Sequence, residues 1–276
     1  MNEKKQSSSF SSKGERKKIS PREGIEGTAY ELKPIAHIKT DFPTKFGVPR
    51  QSGLVKGLKG RIVFEPEYRD PEALRGLDGF SHIWLLWDFS EARKKAPLCL
   101  SRGGGKESLP SAKFGGGRPT VRPPRLGGNQ RMGVWATRSP FRPNNIGLSS
   151  VRIINIELHT SDGPIIEVEG ADLMSGTPIF DIKPYLPFTD SHPDAVAGFT
   201  EETLHSQLST DSIHYTFNSK LLELFDSEKL ASLQEVLASD PRPHYHADAT
   251  RIYAMEFAGE EVKFRIKEGE VEAWIE

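Results

Sequence analysis

From Leu32 to Phe188 the hydrophobic and polar residues alternate in short runs, broken by glycine, proline and polar clusters. That two-residue period predicts strands, whereas a helical face would repeat every three to four residues. "LKPIAHIKT" (32–40) and "GRIVFEP" (60–66) are two such strands. "PEALRGLDGF" (71–80) predicts a proline-led helical turn ending at Gly79. "SHIWLLWDF" (81–89) is apolar enough for a buried strand. "MGVWATRS" (132–139) alternates and predicts a strand from Gly133 to Thr137, running into a fixed turn. "SSVRIINIELHT", the turn "SDG" and "PIIEVEGADL" predict a hairpin over 149–173. "GTPIFDIKPYLPF" (176–188) predicts a strand at a sheet edge or leaving it, because proline withholds a ladder donor. Six or seven strands with few helices predict a mainly β fold, an antiparallel barrel or sandwich. After residue 190 the pattern changes. "NSKLLELFDSEKLASLQEVLASDPRP" has helical periodicity, with Asp226 and Ser227 as caps, and three short strands follow. The expected organisation is a disordered tail (1–27), a β-barrel part (28–189) and a small α+β domain (190–276).

Composition sharpens this outline. The start is polar and Ser/Lys-rich with no apolar core, so it is not read as a secretory signal. No run of 18 apolar residues occurs, so no membrane helix is expected. A single cysteine, Cys99, rules out an internal disulfide and fits a reducing compartment, the cytoplasm. "SRGGGKESLPSAKFGGG" (101–117) reads as a mobile glycine-rich insertion between strands. The net charge of −1 conceals an imbalance. Residues 190–276 carry 18 acidic and 7 basic side chains, whereas no acidic residue lies between Glu107 and Glu157. That stretch instead holds Lys113, Arg118, Arg122, Arg125, Arg131, Arg138, Arg142 and Arg152. Guanidinium pairs with phosphate and stacks on bases, so the stretch points to a polyanion such as RNA.

Common catalytic scaffolds are missing from the sequence. Its histidines are scattered without ligand spacing, so no metal site is expected. Neither a G-x-S-x-G elbow nor a G-x-G-x-x-G turn occurs. Lys106 follows glycines, but Glu107 stands where a P-loop needs Ser or Thr. What remains is a set of stiff Pro/Arg/Gly-rich segments: "KFGVPRQSGLV" (45–55), "RPTVRPPRLGGNQRMGVWATRSPFRPNNIGLS" (118–149), "GADLMSGTPIFDIKPYLPF" (170–188) and "DPRP" (240–243). Several rigid irregular loops on one strand scaffold suggest a shaped site.

Those segments resemble the TrmO (TsaA-like, YaeB/VirR) family of tRNA (adenine-N6)-methyltransferases. The resemblance spans about Leu32 to Phe188, and "DPRP" with the acidic tail resembles the C-terminal domain of longer members. It implies a small antiparallel β-barrel unlike the Rossmann sheet of most methyltransferases, with a C-terminal α+β domain. It implies S-adenosylmethionine as methyl donor, bound at the interface of a homodimer. The implied substrate is tRNA, at the N6 nitrogen of a threonylcarbamoyl-adenosine at position 37, with threonine tRNA as the expected species. Carried over position by position, donor contacts are expected at Arg50, Gln51, Ser52, Gly53 and Leu54; at Ser90 and Glu91, where members commonly have histidine first; at Arg138 and Leu148; and at Glu169, Gly170, Ala171 and Asp172. Asn145 replaces a proline of the family pattern. The residue that takes the N6 proton is not named by the resemblance. Arg118, Arg122, Arg125 and Arg142 are candidates for substrate or tRNA contact, and Arg142 equally reads as a pin for its own loop. Trp135 and Phe141 read either as stacking partners for adenine or as core.

Overall fold

A computed structural model describes residues 31–95, 118–123, 130–200, 213–242, 248, 250–267 and 269–276. The expected tail 1–27, the expected insertion 101–117 and Arg125 lie outside them. The expected alternation gives strands β1 (Ala36–Thr40), β2 (Lys59–Phe64) and β3 (His82–Asp88), then a short helix α1 (Ser90–Lys95). Two-residue strands β4 (Thr120–Val121) and β5 (Met132–Gly133) pair with each other. Strands β6 (Ile146–Glu157), β7 (Ile165–Glu169) and β8 (Thr177–Pro184) follow, then the single turn α2 (Pro187–Asp190).

Six of these strands close into an antiparallel barrel in the order β1-β2-β7-β6-β3-β8. Closure pairs every backbone donor row and leaves no edge for aggregation. Alternate residues point inward, so Ile38, Ile62, Ile83, Leu85, Ile166 and Ile179 are all fully buried. Each such side chain stabilises the barrel by about 1.5–3 kcal/mol. The resulting fold is mainly β, as expected.

Two local expectations fail. The strand expected over Gly133–Thr137 ends at Gly133, and Val134–Ala136 form a 3-10 turn. Only Val134 of that turn is buried, while Trp135 is 66% exposed, so its alternation does not belong to a sheet face. For 176–188 the edge placement fails, since β8 lies between β1 and β3, while the exit holds, since the strand ends at Pro184. Pro178 stands opposite His37, second in the strand, where the pairing with β1 covers only Ala36–Ile38, and Pro184 stands at the strand's last position.

The C-terminal part has one strand more than expected. Strand β9 (His214–Phe217) runs parallel to β12 (Glu270–Trp274), and with β10 (Tyr253–Phe257) and β11 (Glu260–Lys267) makes the order β10-β11-β12-β9. Helices α3 (Ser219–Leu224) and α4 (Ser227–Ala238) intervene. The Asp226 carboxylate accepts the backbone N–H of Lys229 at 2.8 Å, the expected cap of α4. All these elements belong to one compact unit, Lys33–Glu276.

One close approach fixes the barrel wall beside the loops. Trp87 lies directly opposite Gly147 in the β3–β6 ladder, with its ring against the glycine. A Cβ at Gly147 would sit 2.3 Å from that ring. Replacing Gly147 by alanine therefore forces the indole aside and is expected to destabilise the fold by about 1–3 kcal/mol. Urea unfolding measures this directly, and an unchanged midpoint would refute the packing.

Candidate functional site

Asp172, just beyond β7, is an aspartate drawn into the barrel mouth. Burial pushes its carboxyl above the usual carboxylate range. The Ser149 hydroxyl, its own and the Ser52 backbone N–H, and the Arg138 guanidinium pull the other way. Ser149 Oγ donates to Asp172 Oδ1 at 2.6 Å, and Trp87 Nε1 donates to Ser149 Oγ at 3.0 Å. A directed chain thus runs from indole to hydroxyl to carboxylate. Ser149 is 1% exposed and Trp87 8%, so the chain is sheltered from water.

Around this carboxylate three loops are tied together. In the first, Gln51 bridges backbone and side chain: its Nε2 donates to the Arg50 carbonyl at 2.6 Å, and its Oε1 accepts from Arg138 Nη1 at 2.7 Å. Gly53 donates to the Gly170 carbonyl at 2.9 Å, and Gly170 donates to the Leu58 carbonyl at 2.8 Å. Gly170 has φ of +78°, a left-handed conformation that favours glycine. A Cβ there would meet the Gly53 backbone at 3.4 Å, so loop and turn touch main chain to main chain.

In the third loop, Arg142 acts as a pin. Its Nη1 donates to the carbonyls of Thr137 and Ser139 at 3.1 and 3.2 Å, and its guanidinium lies 5.5 Å from the centre of the Trp135 ring. Arg118 lies 4.7 Å over the Phe141 ring, and its backbone N–H donates to the Phe141 carbonyl at 2.9 Å. Trp135 and Phe141 are therefore partners of arginines on an exposed face, not core. Arg138 is exposed and Arg122 is exposed. The opposed pairing of pinned Arg142 and presented Arg138 is what the Pro/Gly-rich stretch achieves.

The expected site residues divide into two groups. Arg50–Gly53, Arg138 and Gly170–Asp172 come together as described. Leu54 is 42% exposed on the same loop. Ser90 and Glu91 open α1, which is fastened to the Arg138 loop where Phe89 donates to the Asn145 carbonyl at 2.9 Å. The Glu169 side chain instead turns to Arg152, 3.5 Å away. Leu148 departs further. Its neighbour Ser149 points inward, so Leu148 faces outward, 48% exposed, into a groove with Trp84, Leu86, Lys183, Asp190 and His192. There the backbone N–H of Leu186 and the indole of Trp84 hold the Asp190 carboxyl below the usual range.

Trp87 and Ser149 belong to the site but were not among the expected residues. The alternation in "IGLSSVRI" already puts Ser149 on the inward face beside apolar Val151, and an inward serine in an apolar row needs a partner. Among the described residues no group of three or more histidines, cysteines or carboxylates has the geometry to hold a metal. No described helix is long and apolar enough to cross a membrane.

The raised Asp172 carboxyl makes a prediction about stability. The folded state binds the proton more tightly than the unfolded state, so stability falls as pH rises from the ordinary aspartate range through the raised value. Asp172→Asn removes that dependence. Its melting temperature relative to the parent should climb between about pH 4 and about pH 7. Thermal unfolding at both pH values decides the matter, and an identical offset at each would show that Asp172 is not buried against its charge.

Comparison with known proteins identifies relatives over nearly the whole chain. Residues 37–191 fit the model of the tRNA-methyltransferase O N-terminal domain, and residues 215–274 that of the TrmO C-terminal domain. The chain is 38% identical over 251 residues to the tRNA (adenine(37)-N6)-methyltransferase of Escherichia coli, covering 90% of this chain and 97% of that protein. It is 44% identical over 197 residues to the enzyme of the same name from Eikenella corrodens, covering 69% and 93%. The crystal structure of TrmO from Pseudomonas aeruginosa superposes with a TM-score of 0.62 at 25% identity, over 89% of this chain and 98% of that one. By both of its halves, barrel and α+β tail, the chain belongs to the TrmO family of tRNA methyltransferases.

Proposed function

We propose that this protein uses S-adenosylmethionine to methylate the N6 nitrogen of adenosine 37 in tRNA, and that the adenosine it accepts carries a threonylcarbamoyl group, in threonine tRNA. The observation that carries the reading is the convergence of Gln51, Ser52, Arg138 and Asp172 at one barrel mouth. Two bacterial relatives named tRNA (adenine(37)-N6)-methyltransferase are matched over 97% and 93% of their length. The residues fit the donor's chemistry. A sheltered carboxylate suits a ribose hydroxyl or an ammonium, and an arginine suits a carboxylate. When bound, S-adenosylmethionine supplies an electrophilic methyl on a sulfonium. The reaction forms an N6–C bond, breaks the C–S bond with its electron pair going to sulfur, and releases the N6 proton.

What this chain contributes is orientation. Nucleophile, methyl and sulfur must stand in line with water excluded, and fixing them is worth roughly 7–11 kcal/mol. The main-chain bonds between Gly53, Gly170 and Leu58 hold the loops without side-chain freedom. Arg138 is presented on a loop pinned by Arg142. Arg118 and Arg138, from the acid-free arginine stretch, give this loop a positive field for the tRNA phosphates. In this reading the protein works in the cytoplasm, which its single cysteine and its tRNA substrate fit.

The protein acts as a homodimer in this reading. Leu148 stands in the family's donor motif yet faces outward beside Trp84 and Leu86, a place that a second copy would cover. Phe188, next in the chain to the groove residue Thr189, is 86% exposed. Leu148→Arg should shift the protein to monomer in light scattering at micromolar concentration and depress methylation. A dimer of undiminished activity would move the interface elsewhere.

Arg138 provides the sharper experiment. Arg138→Ala should retain the fold by circular dichroism and lose methylation by roughly 30- to 5,000-fold, the equivalent of about 2–5 kcal/mol for a charge-assisted pair. Arg138→Lys should recover little, since a point charge cannot reproduce the planar fork. Arg118→Ala is the control and should leave donor affinity unchanged. Single-turnover assays on threonylcarbamoylated and unmodified tRNA separate the substrate question from the site. Near-normal turnover by folded Arg138→Ala would displace the site.

A further inference from the structure

We infer that the C-terminal α+β part sets the donor-binding loop in position, with Ser232 on α4 as a positioning residue that acts through Gly57. This rests on the donor site proposed above. Residues 41–58, between β1 and β2, form neither helix nor strand. Such a segment has no ladder to offset the conformational entropy it loses on ordering. Main-chain bonds at Phe42, Gly53 and Leu58 join it to the barrel, and its apolar side chains are ordered from outside the barrel. Phe42, Val55 and Leu58 are 1%, 1% and 3% exposed and sit in the core built by α4 and the C-terminal sheet. The Phe42 ring lies 5.4 Å from Phe257, and Phe46 stacks on Tyr253 and Phe264 at 6.3 and 6.1 Å.

Polar contacts then fix the segment along its length. Lys229 pairs with Asp41, and the backbone N–H of Lys56 donates to Glu235 Oε2 at 2.9 Å. Ser232, 2% exposed, donates to the Gly57 carbonyl at 3.0 Å, and to the Glu228 carbonyl at the same distance. A Cβ at Gly57 would stand 2.7 Å from Ser232 Oγ, so helix and loop are in direct contact. The next residue, Leu58, accepts the Gly170 N–H, and Gly170 accepts from Gly53. A push at Gly57 therefore reaches the turn before Asp172 through one main-chain bond, and Gly53 through a second.

Gly57 does not lie in the left-handed region, so alanine there meets only Ser232. Gly57→Ala in the full-length chain should weaken S-adenosylmethionine binding by about 3- to 30-fold, with the donor KM raised. Adding Ser232→Ala removes the obstructing oxygen and leaves the new methyl facing Ser232 Cβ at 3.7 Å, an ordinary contact. The double variant should therefore recover to the level of Ser232→Ala alone, a non-additivity that only contacting residues show. Calorimetry gives the affinity, steady-state kinetics the split between KM and kcat, and circular dichroism the fold. A purely structural role would lower the melting temperature and leave donor affinity untouched. Normal donor binding by Gly57→Ala, or a folded double variant that fails to recover, overturns the inference. Arg138→Ala in the same calorimeter separates the two readings. If it loses the donor while Gly57→Ala does not, the positioning role falls and the donor site stands; if both bind normally, both fall. Should Gly57→Ala not fold, Ser232→Ala alone decides: a raised donor KM at constant kcat supports the role, and an unchanged KM ends it.

Discussion

Taking a carboxylate out of water costs several kcal/mol unless donors replace the lost hydration. Asp172 is in that position, and much of the barrel mouth is arranged to supply those donors. Ser149 gives a hydroxyl from inside β6, and Trp87 orients that hydroxyl from β3. The backbone of Ser52 comes from the loop after β1, and Arg138 faces the carboxylate from the loop before β6. Satisfying one charge thus joins two adjacent strands to two loops far apart in sequence. Gly147 is part of the same requirement, because only a residue without Cβ lets the indole lie where Ser149 can be reached.

The dependence extends beyond the barrel. A loop that must lend its Ser52 N–H to a carboxylate has to be stationary, and its few main-chain bonds to the barrel are joined by packing elsewhere. Its apolar residues are buried in the core of the C-terminal part, which gives that small acidic sheet a physical connection to the carboxylate at the barrel mouth. The arginines divide their labour by similar logic. Arg142 spends its donors on local carbonyls, which frees Arg138 to meet Gln51 and the field of Asp172.

Much of the barrel was legible because its signal is local. Alternation in "GRIVFEP" and "SSVRIINIELHT" marks strands without knowledge of their neighbours. The cap at Asp226 is likewise a matter of a few adjacent residues. Strand β9 was not legible: it is four residues long and gains its place by parallel pairing with β12, some 56 residues away. "MGVWATRS" misled because its apolar Trp135 serves an arginine rather than a sheet face. At the site, family motifs marked Gln51, Arg138 and Asp172 together. They could not tell that Leu148 turns away from Asp172, because one step along a strand reverses the face. Nor did they indicate Trp87, whose part depends on a cross-strand register with Gly147.

If the loops around Asp172 form the donor pocket, bound donor must shield their backbone. Amide hydrogen exchange on the full-length protein, with and without S-adenosylmethionine, tests it most directly. Backbone groups enclosed with a ligand open less often and exchange more slowly. Donor-dependent protection is expected at residues 50–54 and 169–172 and around Arg138. Protection confined to the C-terminal sheet, or to the outer end of the barrel, would contradict it.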